Sequence, residues 1–266
     1  MTIESFSDAR VVITGGASGI GLALAKRMHA DGARIAICDR DMSAVQQAII
    51  AMPDVFGFVC DVSDAGALEG FIAEAADALG GIDVGWNNAG IMQSAQPIQD
   101  MDWDDYRAVV DVNLDAVVRG SQIMARMMIK QGTPSLILNT GSENSLFHGV
   151  PGGGAYVASK VAVRAITESL FQDTPDHIDV KLLCPGFVNT PLGPKAQFRH
   201  GMDVDVFADI AFPLLSTDQF YLVSHGYNAV RVRETADRIL ADIEAGAAPA
   251  SETKAFDTYT LMGLDR

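Results

Sequence analysis

Short, nearly unbroken apolar runs alternate along this chain with longer segments whose apolar residues recur every three or four positions. The runs Arg10–Thr14, Arg34–Cys38, Val55–Cys60, Ile82–Trp86, Ser135–Thr140, Ile178–Cys184 and Gln219–Ser224 predict seven strands. Between them, Ile20–Ala30 carries Ile20, Leu24, Ala25 and Met28 at helical spacing. Further helices are predicted over Met42–Ala51, from a cap at Ser63 or Asp64 to Leu79, over Asp102–Lys130, over Gly154–Phe171 and over Tyr227–Ala245. Strands that are apolar throughout must be covered on both faces, which is the situation of a parallel sheet with helices on each side. The pattern therefore predicts an α/β doubly wound three-layer sandwich with a seven-stranded parallel sheet. No repeat, low-complexity tract or linker divides the chain, so residues 1–266 are read as one domain.

Composition narrows the function. The chain has a formal net charge of −15, which repels nucleic-acid phosphates and gains nothing at an anionic membrane. No nucleic-acid or membrane partner is expected. The start of the chain lacks the long apolar stretch of a signal peptide, and no apolar run is long enough to span a bilayer. Cys38, Cys60 and Cys184 each end a strand-like run and read as small buried hydrophobes in a reducing, cytoplasmic setting. The five histidines are scattered and make no metal-ligand pattern, so no metal is expected; His148 is the one placed to approach a substrate.

The first strand runs into Thr14-Gly15-Gly16-Ala17-Ser18-Gly19-Ile20-Gly21 and then into a helix. Glycines at such a turn let the backbone approach a phosphate, and the helix start offers free N–H groups and a positive dipole end. Asp39 ends the second strand, eighteen positions beyond Gly21. A carboxylate there accepts bonds from ribose hydroxyls and repels a 2′-phosphate, which favours NAD over NADP. It is also a candidate helix cap, a role Asp41 can fill instead. Arg40 is the counter-signal, since it can pair with a 2′-phosphate or stack on adenine, whereas Ser18 adds no positive charge to the loop.

Tyr156 and Lys160 stand four positions apart on one predicted helix face. A nearby ammonium stabilises a phenolate and lowers a tyrosine pKa, so the pair suits general acid–base chemistry.

With these features in order, the chain resembles the short-chain dehydrogenases/reductases over roughly Val11 to Ser224. The resemblance rests on the glycine loop, Asp61-Val62, Asn87-Asn88-Ala89-Gly90, Asn113, Ser142, Tyr156 with Lys160, and Pro185-Gly186-Phe187-Val188-Asn189-Thr190. It implies a Rossmann-type fold and hydride transfer between a nicotinamide cofactor and a secondary alcohol or ketone. It also implies that Tyr156 exchanges a proton with the substrate oxygen, Lys160 binds the nicotinamide ribose and lowers the Tyr156 pKa, and Ser142 holds the substrate oxygen. Asn113 supports a water relay behind Lys160. Gly15, Ser18, Gly19, Ile20, Gly21, Asp39, Asp61, Val62 and Asn88 are implied cofactor contacts. So are Pro185, Gly186, Val188 and Thr190, with the backbone at Val188 on the carboxamide. Pairing through the two long helices is implied as well, giving a homodimer or homotetramer.

Two departures mark this chain. Ser142 lies fourteen positions before Tyr156, one more than usual, which makes Ser145 a rival; the strand-end alignment of Asn139-Thr140-Gly141-Ser142 favours Ser142. The last strand is followed by an extension over residues 225–266 that is expected to cover the site or pack on a partner subunit. Residues 191–205 are expected to form a substrate lid. Leu192, Phe198 and Met202 from it, with Met92, Phe147 and Phe187, suggest an apolar pocket for a bulky steroid-like or aromatic substrate, though several of them suit the core equally well. Glu143 is a candidate polar contact. The competing functions are an NAD-binding regulator without turnover and a sugar-nucleotide epimerase or dehydratase, the latter disfavoured by the short C-terminal part.

Overall fold

The computed structural model describes residues 5–192, 199–248, 253 and 257. The chain divides into two compact units, Met1–Gly226 and Tyr227–Arg266, where the sequence suggested one domain with an extension from residue 225.

The first unit is built on a parallel sheet of seven strands: β1 Arg10–Thr14, β2 Arg34–Asp39, β3 Phe56–Val59, β4 Val84–Asn87, β5 Ser135–Thr140, β6 Ile178–Cys184 and β7 Tyr221–Val223. Their order is β3-β2-β1-β4-β5-β6-β7. The expected doubly wound α/β sandwich is thus the observed fold. β5 and β6 are buried along nearly their whole length, as unbroken apolar runs require. The three cysteines are buried with free thiols.

Helices α1 Gly19–Ala30, α2 Met42–Ala51, α3 Ala65–Leu79, α4 Trp103–Val110, α5 Ala116–Gln131 and α6 Gly154–Asp173 connect the strands. Asp41 caps α2 and Asp64, rather than Ser63, caps α3, each accepting from two backbone N–H groups. One apolar core under α1 and α2 gathers Leu24, Met28, Ile35 and Ile37, and the opposite face of the sheet holds Leu68, Ile72, Met124 and Met128.

Two elements depart from the sequence pattern. The long helix expected over Asp102–Lys130 is interrupted at Asp111–Asp115 by a wider, π-type turn. Periodicity does not reveal such a turn, because the flanking segments are each regular. A further helix, α7 Val204–Leu214, starts inside the expected lid segment. Its signals are present in the chain: Asp203 caps it, and Val204, Phe207, Ala208 and Ala211 recur at helical spacing. The rest of the lid lies partly outside the described residues; Asn189 N–H donates to Met202 O at 2.8 Å and Met202 N–H to Phe187 O at 2.8 Å, which ties its two ends together.

The second unit contains helix α8 Asn228–Gly246, one residue on from its expected position.

A buried polar network joins the sheet to its helices. Asn87 Nδ2 donates to Asn139 Oδ1 at 2.8 Å and to Ser121 Oγ at 3.1 Å, while Asn139 Nδ2 donates to Thr167 Oγ1 at 3.1 Å. All four residues are buried. Asn139→Ala strands these partners without water, and urea unfolding is expected to show a loss of about 3 kcal/mol with an unchanged m-value.

Candidate active site

The carboxyl ends of the strands open into a cleft of about 830 Å³. Open parallel sheets bind ligands there, where the strand order reverses between β1 and β4. Thr14, at the end of β1, ties that reversal together: its hydroxyl accepts from Asn88 N–H at 3.0 Å and Ala89 N–H at 3.2 Å.

At one end the cleft is walled by the glycine loop. Gly15 and Gly19 have φ of +62° and +52°, conformations that an L side chain resists. Ser18 precedes α1 but makes no side-chain cap, so the first N–H groups of the helix are left to an anion in the cleft. Gly15, Ser18, Gly19 and Ile20 line the cleft as expected, but Gly21 does not. A Cβ at Gly21 would run into the Gly15 carbonyl and the Asn88 amide, so this glycine lets α1 pack beneath the loop instead of meeting a ligand. Asn88 Nδ2 donates to Thr14 O and Gly15 O at 3.1 and 2.9 Å and braces the same turn from below.

Asp39, Arg40, Asp61 and Val62 line the next stretch. Because Asp41 caps α2, Asp39 is not needed for that role. Bonds from the Ser63 hydroxyl and N–H hold the Asp61 carboxyl below its ordinary value, with Arg40 adding to the effect. Glycines with backbone room for a pyrophosphate, an uncapped helix start and a carboxylate at the ribose position together fit an adenine dinucleotide.

Pro185, Gly186, Val188 and Thr190 line the other end, with Ser142, Tyr156 and Lys160. Tyr156 and Lys160 are buried on α6. Lys160 Nζ donates to Thr140 O at 2.8 Å and lies 5.8 Å from the Tyr156 ring centre. The π-type turn carries Asn113 inward, where Nδ2 donates to Ile91 O at 2.9 Å and Ser159 Oγ at 3.2 Å, and Oδ1 accepts from Ile91 N–H at 2.8 Å. A Cβ on Gly90 would touch both Asn113 Oδ1 and Lys160 Nζ, so the three meet at one point.

The two candidate serines separate clearly. Ser142 lines the cleft with Tyr156, its hydroxyl accepting from Asn144 N–H at 3.1 Å and counteracting the rise in the Tyr156 pKa. Ser145 turns away, donating to Lys160 O at 2.7 Å and accepting from Ser142 N–H at 3.1 Å. It holds the loop on α6.

Burial pushes the Tyr156 phenol above its ordinary value; the Ser142 hydroxyl works against this and the Glu143 charge adds to it. Lys160 is not among the groups acting on the phenol here; its ammonium is turned to the Thr140 carbonyl. Of the expected substrate residues, Met92 and Phe187 line the cleft, whereas the Phe147 ring folds back on Gly149 of its own loop. Leu192 lines the cleft, Met202 packs into the core, and Phe198 lies outside the described residues. Ile91, Val150 and Asn144 also line it, and no sequence motif marks them. They follow motif residues in loops whose path periodicity does not fix. Among the described residues no cluster suits a metal ion, and no helix is long and apolar enough to cross a membrane.

Burial also pulls the Lys160 ammonium down to about 8 from 10.5. Below about pH 8 both folded and unfolded chains carry the proton, and the folded chain bears the desolvation cost. Between about pH 8 and 10.5 the folded amine deprotonates first and that cost fades. Lys160→Met is expected to melt about 3 °C higher than the unmutated protein at pH 7, with the gap closing by pH 10. A lower melting temperature at pH 7 would contradict the burial argument.

Comparison with known proteins agrees with this geometry. The model of the short chain dehydrogenase family matches residues 9–199. The chain is 33% identical over 244 residues to 1-deoxy-11-beta-hydroxypentalenate dehydrogenase of Streptomyces arenae, covering 86% of each chain. It is 36% identical over 187 residues to 3beta-hydroxysteroid dehydrogenase 2 of Eggerthella lenta, covering 68% of this chain and 72% of the relative. A Burkholderia phymatum short chain dehydrogenase/reductase solved with NAD superposes with a TM-score of 0.84 at 25% identity, over 91% of this chain and 97% of that one. A Burkholderia cenocepacia enzyme solved with NADP gives 0.74 at 28% identity, over 82% and 97%. The chain belongs to the short chain dehydrogenase family, the nicotinamide-dependent oxidoreductases that act on CH–OH groups of small molecules.

Proposed function

We propose that this protein interconverts a bulky, largely apolar secondary alcohol and its ketone with NAD, using Tyr156 as the general acid and base. The observation that carries the reading is that Ser142, Tyr156 and Lys160 line the same cleft as the glycine loop. The bound nicotinamide supplies or accepts the hydride. The chain's own part is to hold a substrate oxygen between the Ser142 and Tyr156 hydroxyls and move one proton at that oxygen. Hydrogen bonding from both hydroxyls stabilises the charge that develops there. Lys160, Pro185, Gly186, Val188 and Thr190 would hold the nicotinamide end, and Asp61 and Val62 the adenine end. Asn113 positions the Ile91 backbone and Ser159, the residue before Lys160, through its hydrogen bonds.

Asp39 supports NAD over NADP, since its carboxylate would face a 2′-phosphate across the cleft. The apolar side chains Ile91, Met92, Val150, Phe187 and Leu192 support a bulky apolar substrate. The named substrates of the two relatives, a pentalenate and a hydroxysteroid, are polycyclic and support the same class. Residues 191–205 would then close over it as a lid.

A panel of secondary alcohols from small polyols to hydroxysteroids, run with NAD and NADP side by side, tests the reading. Turnover of the polycyclic members with NAD is expected; preference for polyols would reject the substrate class, and NAD binding without any turnover would reject catalysis. Ser142→Ala is expected to cut kcat about 100-fold, while Ser145→Ala lowers the melting temperature and leaves kcat within a few-fold. The reverse would exchange the two assignments. Because the phenol is raised and must lose its proton to act as a base, kcat/KM for alcohol oxidation is expected to climb steadily from about pH 7 to 9, whereas ketone reduction, which uses the protonated phenol, is not.

A further inference from the structure

Helix α8 carries an apolar stripe that the proposed chemistry does not use. Val232, Ala236, Ile239, Leu240 and Ile243 fall within about 100° of arc at helical spacing. Ile239, Leu240 and Ile243 are 53%, 55% and 54% exposed. Scattered exposed apolar residues need no explanation, but a stripe running along a helix of about 28 Å does.

The charges beside the stripe say what fits it. Arg233 and Glu244 lie on one flank, with Asp237 between them, and Arg231 and Asp242 on the other, with Arg238 between them. The outer charges of each flank are therefore a cation near the start of the helix and an anion near the end. When two copies of a helix pack antiparallel about a two-fold axis, each flank faces the same flank of the other copy. Arg233 then meets Glu244 of the second copy and Arg231 meets Asp242, each pair occurring twice. Both pairs share a centre near Asp237 and Arg238, and that centre sets Val232 opposite Ile243 and Ala236 opposite Ile239. Parallel packing brings opposite flanks together, so that Arg231 faces Arg233 and Asp242 faces Glu244. Like charges would then stand along both edges. Arg231 also pairs with Glu234 within the helix at 3.1 Å, but that exposed bond is worth little and gives way readily.

We propose that the α8 stripe is a contact face between two copies of this chain, packed as an antiparallel helix pair. A lipid surface fits the stripe poorly, because the helix carries three arginines against four acids and the chain is strongly anionic. The contact uses a helix other than the two long ones that the family resemblance implicates in pairing, and it stands independently of the substrate proposal.

Cross-linking of the full-length protein tests this. Val232→Cys and Ile243→Cys are prepared separately, mixed, and oxidised with glutathione disulfide, which yields one protein disulfide and two glutathione thiols per link. The mixture is expected to form disulfide-linked dimers, and each variant alone very few. Adding Arg233→Glu to both chains is expected to lower the yield about fivefold, and adding Glu244→Arg to the same chains to restore it. Circular dichroism checks that each variant is folded. Equal linking by Val232→Cys alone would mean parallel packing, and absence of intermolecular product in the folded mixture would mean that the stripe is covered otherwise; either overturns the proposal. So would flotation of the unmutated protein with anionic phospholipid vesicles.

Discussion

The pairing of β1 with β4 is the constraint on which the rest of this molecule depends. It places Val11, Val12 and Ile13 beside Val84, Gly85 and Trp86 and turns the strand order outward in both directions. All seven strands point the same way, so the chain leaves them at one edge. Thr14, Asp39, Asn88, Ser142 and Pro185 are far apart in sequence and reach that edge only because the strands are parallel. The helix crossovers that parallel strands require then present the uncapped start of α1 to the same opening.

Within this frame, three side chains of the candidate site and its loop are held by backbone groups. Lys160 is fixed by the Thr140 carbonyl, Asn113 by both peptide groups of Ile91, and Ser145 by the carbonyl of Lys160. Such anchors do not move when a neighbouring side chain changes. The site is held in place at the expense of desolvating an amine and a phenol, which is visible in the direction of both pKa values. Burial therefore does two opposing things here: it fixes the geometry and it makes the charged forms harder to reach.

The strands were legible in the sequence because burial on both faces leaves an unbroken apolar run; β5 and β6 coincide with their runs to the residue. The shorter outer strands were over-read, β3 and β7 in particular, since apolar residues beyond the last ladder bond still look strand-like. Motifs located most of the cleft residues, as those residues sit at strand ends whose order the fold dictates. What failed was direction. Gly21 and Phe147 stand at the expected places in the chain but face away from the cleft, one for helix packing and one through the course of its loop. The choice between Ser142 and Ser145 was likewise a matter of which way a hydroxyl points. Helix α7 was missed because the lid reading claimed its first residues.

The wide turn at Asp111–Asp115 has a consequence for how this site can change. A π-type turn is an ordinary helix with one residue too many, and one residue is about 100° of rotation. The segments before and after it are out of phase, and that phase difference aims Asn113 at Ile91 while α5 still buries Val117, Met124 and Met128. Substitutions alter a side chain but leave the residue count intact. Only a deletion restores a regular helix, and it would swing either the asparagine or the whole apolar face of α5 out of place. This stretch can therefore drift in composition but not in length.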